Sequence, residues 1–196
     1  MRSSITIVAI LTLLSLPVVA RADDMRDLAA VAVRAALDER SGLYDLGTYF
    51  YAGRVVKRDY AKAAFLWQRA SDKGSIAAKN NLGYLYFEGL GVEKNSAQAV
   101  TLWQQAAEQG HGEAQLHLGN AIFYGEGVPK NEALGIAWVI CATHTANTKP
   151  FEPEAGGGSE ILAFAQKELE TLSSSVAERI TVSAKEIVEQ LPSCGK

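Results

Sequence analysis

The chain has 196 residues, 21% charged and 48% hydrophobic, which suits a folded protein of one or two small domains and excludes a disordered one. Its 22 acidic and 19 basic residues give a net charge of −3, without the basic surplus of an electrostatic nucleic-acid binder. Aromatic residues are only 8%, while alanine and glycine abound, which favours close-packed helices over a β-sandwich.

Residues 1–22 read as a secretory signal peptide. Arg2 supplies a short positive start, Ile5 to Leu16 is almost wholly apolar, and Pro17 breaks the run. Ala20-Arg21-Ala22 then forms a small-residue cleavage site, with cleavage expected after Ala22. The apolar run is well short of the ~20 residues that span a bilayer. No later apolar run is long enough either, so no membrane span is expected in the mature chain, and the expected location is the periplasm or the medium. No cysteine lies near the cleavage site, so no lipid anchor is expected there. In that oxidising setting the only two cysteines, Cys141 and Cys194, form a candidate disulfide. The alternative is a small buried Cys141 and a free tail thiol at Cys194.

Residues 25–39 are rich in alanine and valine and read as an N-terminal capping helix within 23–41. A 36-residue period begins just after it. Leu46-Gly47, Leu82-Gly83 and Leu118-Gly119 share that offset, as do Gly53, Gly89 and Gly125, then Val56, Val92 and Val128. Ala61, Ala97 and Ala133 follow, with Ala70, Ala106 and Ala142; Trp67 and Trp103 share a column from which Trp138 is displaced by one. Three units result, 42–77, 78–113 and 114–146. Each reads as two short helices. The first spans about 42–52, 79–88 and 113–124, and ends at a glycine able to take a left-handed conformation. The second starts at Asp59, Asn95 or Asn131, all good N-caps. Its apolar spacing (Ala63, Leu66, Trp67, Ala70; then Ala99, Leu102, Trp103, Ala106) marks one buried face. Gly74 and Gly110 close the first two of these helices. One such pair cannot bury its face alone, so the units must stack.

The pattern L-G-x-x-[Y/F/I]-x-x-G-x-[G/V]-V, then [D/N]-x-A, then L-W-Q-x-A and a closing glycine, resembles the Sel1-like repeat, a relative of the tetratricopeptide repeat. The resemblance implies an all-α fold, a right-handed α-solenoid of stacked two-helix repeats (a tetratricopeptide-like superhelix) with helical caps. Two departures are visible: Val55 stands where Gly91 and Gly127 stand, and Trp138-Val139 replaces Leu-Trp, with Ala146 for the closing glycine. Both are expected to alter local geometry only. Beyond the third unit, 147–158 holds Pro150, Pro153 and three glycines and reads as a loop. Residues 159–196 then read as two helices, from Ser159 to about Leu172 and from Ser174 or Ser175 to about Leu191. The resemblance implies that they form a C-terminal cap, whose end could reach Cys141.

Catalytic chemistry finds little support in the residues. Gly89/Gly91 and Gly125/Gly127 lie between helices and do not extend to a dinucleotide-binding fingerprint, so they read as turn glycines. His111, His117 and His144 form no metal-ligand spacing and read as surface or groove residues, so no metal site and no cofactor are expected. Ser159 lacks the G-x-S-x-G elbow. Ser193 and Lys196 match S-x-x-K only by letters, behind Pro192. Some cysteine-rich secreted relatives of the repeat are associated with β-lactamase activity, and nothing in these residues carries it over. No catalytic residue is assigned. An envelope-acting hydrolase of cell-wall or β-lactam substrates is the disfavoured alternative.

The expected working surface is the concave groove that first helices line in such a superhelix. Leu46, Gly47 and Phe50, with Leu82, Gly83 and Tyr86, then Leu118, Gly119 and Ile122, form the buried stripe. The opposite stripe is Tyr44, Thr48 and Tyr51, then Asn80, Tyr84 and Phe87, then Leu116, Asn120 and Phe123, with His117 beside it. Aromatics flanked by amides suit a partner's extended segment or helix. The column Tyr51, Phe87 and Phe123 has an equal alternative as packing between units. The expected function is that of a protein-binding adaptor, regulator or inhibitor, monomeric when unbound. The resemblance adds envelope regulators, assembly factors and immunity proteins that neutralise toxic secreted effectors.

Overall fold

The computed structural model describes residues 22–148, 158–176, 178–191 and 194. Among these residues there are nine helices and no strand: α1 (Ala22–Ala36), α2 (Arg40–Ala52), α3 (Tyr60–Asp72), α4 (Ile76–Glu88), α5 (Ser96–Ala107), α6 (Gly112–Tyr124), α7 (Glu132–Thr148), α8 (Gly158–Ser174) and α9 (Glu178–Val188). Up to position 21 the expected signal peptide lies outside the described residues. So does most of the expected 147–158 loop, whose two ends belong to α7 and α8.

The repeat columns act as helix punctuation. Asp59 and Asn95 accept the backbone N–H of Lys62 and Gln98 at 2.9 and 3.0 Å, and Asn131 accepts that of Leu134 at 3.0 Å. At the other end, Gly53, Gly89 and Gly125 sit at φ of 68°, 72° and 78°, each closing its helix with a backbone bond to a carbonyl four residues back. Ser75 caps α4, and in the matching column His111 caps α6, its Nδ1 accepting the Ala114 N–H at 3.2 Å. His111 is therefore a buried cap and not the surface residue its sequence position implies.

The chain divides into two compact units, Met1–Lys94 and Asn95–Lys196, so the division falls inside the second repeat. In the first unit, α1 packs on α2, α2 on α3 and α3 on α4. The N-terminal helix buries Leu28, Val31, Ala32 and Ala35 at helical spacing. It approaches α2 closely, since a Cβ at Gly42 would meet the Ala35 nitrogen at 2.5 Å. Asp38, left-handed at φ 61°, ties the α1–α2 turn to the end of α3 through Arg69 and Lys73. Val55 is buried, and Gly91, its counterpart in the second repeat, shows why repeat 1 departs here. A Cβ at Gly91 would strike the backbone of Tyr60–Ala61, the start of the preceding repeat's second helix, at 2.3–2.4 Å. The first repeat follows no such helix, and valine is tolerated.

In the second unit α5 packs on α6, α6 on α7, and α7 carries both α8 and α9. The Trp67 column continues as Val139, and the Ala63 column as Gly135. A Cβ on Gly135 would lie 2.7 Å from the Gly119 carbonyl, and one on Gly119 would lie 2.8 Å from Val139 Cγ2. Smaller side chains thus bring α6 and α7 together where the earlier repeats hold a tryptophan and an alanine. One core joins Leu116 and Phe123 of α6 and Ile136, Val139 and Ala142 of α7 to Ala165, Leu172, Ala184 and Val188 of the last two helices. Cys141 and Cys194 form a disulfide across 53 residues, with Cα atoms 5.1 Å apart.

Candidate protein-binding face

On α2 of the first unit, Tyr44, Thr48 and Tyr51 follow one another along a single stripe. Tyr44 stacks 6.4 Å from the Trp67 ring, accepts the indole N–H on its carbonyl at 3.1 Å, and accepts Asn81 Nδ2 on its hydroxyl at 3.4 Å. Thr48 is exposed and donates its hydroxyl back to the Tyr44 carbonyl. Tyr51 is half-buried between Tyr60 and Trp67, with ring centroids 5.5 and 5.4 Å away. Burial pushes its hydroxyl above the ordinary tyrosine value; Tyr84, which hydrogen-bonds it, and Tyr60 add to this, and Arg58 opposes it. Tyr84 and Phe87 on α4 are half-buried too, with Lys94 Nζ 5.5 Å from the Phe87 ring centre.

In the second unit, His117 stacks on Trp103 at 4.9 Å with its Nε2 3.7 Å from Glu113. Asn120 is half-buried.

Three residues of the expected groove stripe are corrected. Asn80 is 2% exposed, Leu116 3% and Phe123 5%, so none of them can touch a partner. Asn80 points into the packing, and its neighbour Asn81 supplies the amide beside Tyr44. Phe123 joins the core that α8 and α9 complete, which settles that member of the aromatic column as packing. Tyr86, expected in the buried stripe, is half-buried. The cations on the rings escaped the sequence reading, although Arg58, Lys94 and Lys130 share the 36-residue offset. Arg58 lies 5.8 Å from the Tyr60 ring centre, and Lys130 lies 5.8 Å from that of Phe123. Among the described residues no group of three His, Cys, Asp or Glu side chains could hold a metal ion, and no helix is long and apolar enough to cross a membrane.

The stacked helix pairs have their counterpart in a known repeat, for the Sel1 repeat family profile matches residues 40–75, 76–111 and 112–143. The chain belongs to the Sel1 repeat family. Its fold is the all-α repeat solenoid of that family. A Sel1 repeat protein from Oxalobacter formigenes shares 25% identity at a TM-score of 0.57, over 74% of this chain and 98% of that one. A second crystal structure is similar in fold alone, at 22% identity and a TM-score of 0.51. It is c5321, a protective antigen of uropathogenic Escherichia coli with an SLR fold; 86% of this chain aligns with 41% of that one. No curated protein matches the sequence. Sel1 repeat proteins are generally protein-binding adaptors and typically non-enzymatic scaffolds. The cysteine pair at disulfide distance fits an extracellular setting.

Proposed function

We propose that this Sel1 repeat protein is exported and binds a partner protein in the periplasm or medium, as an adaptor, regulator or inhibitor. The observation that carries the reading is the half-buried face of the first unit, where Tyr44, Tyr51 and Tyr84 are held by one another, Trp67 and Asn81. Tyrosines fixed in this way give large contact area with little entropy left to lose on binding. The signal-peptide pattern and the disulfide support export. In this reading Thr48 and Phe87 contribute contacts around the tyrosines, and the second unit, taken by itself, offers His117 and Asn120.

Capture from periplasmic extract on the immobilised mature protein tests the reading. Thr48→Arg places bulk on the exposed stripe without touching the core, and Tyr84→Ala truncates an anchor. A tyrosine hot spot is worth about 2 kcal/mol, so each variant should weaken the captured complex about thirtyfold with an unchanged circular dichroism spectrum. Retention of the partner by both variants would place the surface elsewhere. A captured toxic effector whose activity is neutralised on binding would assign the immunity role.

A further inference from the structure

We propose that the 53–58 loop, with Tyr51 and Tyr60 beside it, receives an acidic segment of the partner protein; this names the partner chemistry of the face assigned above and rests on that reading. In a chain of net charge −3, this loop carries Arg54, Lys57 and Arg58. The nearest carboxylate in sequence is already committed: Asp59 accepts the Lys62 N–H at 2.9 Å and pairs with Lys62 Nζ at 3.2 Å. Arg54 and Lys57 are exposed and make no hydrogen bond or ion pair among the described residues.

The repeat itself separates architecture from surplus. The third position of the set carries a cation in every unit, Arg58, Lys94 and Lys130, and each of these lies over an aromatic ring. That column serves packing. The Arg54 column continues as Leu90 and Glu126, and the Lys57 column as Glu93 and Pro129, so the fold requires no cation at either place. Repeat 1 alone adds two, on a loop held in shape. Val55 and Val56 are buried, Gly53 takes the left-handed turn, and the Asp59 N–H donates to the Phe50 carbonyl at 2.9 Å. A loop already held in one shape loses little freedom when a ligand docks. Its charge suits carboxylates, and the rings of Tyr51 and Tyr60 next to it suit interleaved apolar or aromatic side chains. Three cations are fewer than the clusters of about four to eight that hold a protein on an anionic membrane, which favours a protein segment.

Anisotropy of a fluorescein-labelled peptide, Glu-Asp-Leu repeated four times, tests this on the mature protein, with Lys-Arg-Leu repeated four times as the counterpart. The acidic peptide should bind in preference, and about tenfold more weakly when salt rises from about 50 to about 500 mM. Arg54→Glu with Lys57→Glu should lose at least about tenfold, while Arg40→Glu, at the opposite end of α2, should lose nothing. Equal binding of both peptides, or indifference to the double reversal, overturns the proposal. So does reversal-sensitive binding to phosphatidylglycerol vesicles without binding to the peptide, which would make the loop a membrane contact. If Thr48→Arg loses the native partner but the double reversal retains it, the acidic-segment proposal fails and the protein-binding reading stands. If both retain it, both fail.

Discussion

Gly47 lies against the indole of Trp67, so close that one added carbon would come within 2.6 Å of Trp67 Cδ1 and Nε1. The ring cannot retreat, because it is 2% exposed and its N–H is bonded to the Tyr44 carbonyl. Gly47→Ala should therefore destabilise the protein by about 1–3 kcal/mol through overpacking. Urea denaturation followed by tryptophan fluorescence measures it, and an unchanged midpoint would contradict the contact.

Two left-handed glycines separate backbone strain from collision. Gly74 has φ of 84° and nothing within 4 Å of an added Cβ, so Gly74→Ala should cost only the left-handed penalty of about 1–2 kcal/mol. Gly91, at φ 69°, would in addition meet the Ala61 nitrogen at 2.3 Å, and backbone cannot rotate away as a side chain does. Gly91→Ala should lower the melting temperature clearly more than Gly74→Ala. Equal losses would mean that the second loop does not rest on α3.

The Lys62 backbone N–H, bonded to the Asp59 carboxylate, holds its pKa below 3.8; burial opposes this and the Lys62 side chain reinforces it. A depressed carboxylate stabilises the fold above its unfolded pKa, and that contribution disappears as pH falls through the lower, folded value. Asn95 and Asn131 make the same cap uncharged. Asp59→Asn should thus shift stability at neutral pH by under about 0.5 kcal/mol. Its melting temperature should fall less steeply than wild type as pH drops below 3.8; parallel acid limbs would show that the charge is immaterial.

The Cys141–Cys194 bond should stabilise the second unit. Closing a loop across 53 residues is worth about 4 kcal/mol in the chain-entropy view. Reduction, or Cys194→Ser, should lower the melting temperature and speed amide exchange in α9, where Ala184 and Val188 are buried. Mass spectrometry after alkylation without reductant should find no free thiol in protein isolated without reductant.

Much of this was legible in the sequence because a repeat states each local rule three times. The caps at Asp59, Asn95 and Asn131, the left-handed glycines and the buried Trp67 and Trp103 are rules of one helix or one helix pair, and each took the expected place. The face of the first helices was legible only in part. Adjacent residues on a helix differ by about 100° in direction, so the choice between Asn80 and Asn81 depends on how α4 lies against its neighbours, and the period does not record that.

By itself, then, the sequence determined the helix pairs, the caps that start their second helices and the glycines that stop their first, since these depend on neighbours within one period. Tertiary structure decided what remains open. Phe123 reads as a groove residue until α8 and α9, which follow no repeat pattern, cover it, while Thr48 on α2 of the first unit stays exposed. Burial is a property of whatever segment comes to lie on a face, and that segment can be far along the chain and carry no trace of the period.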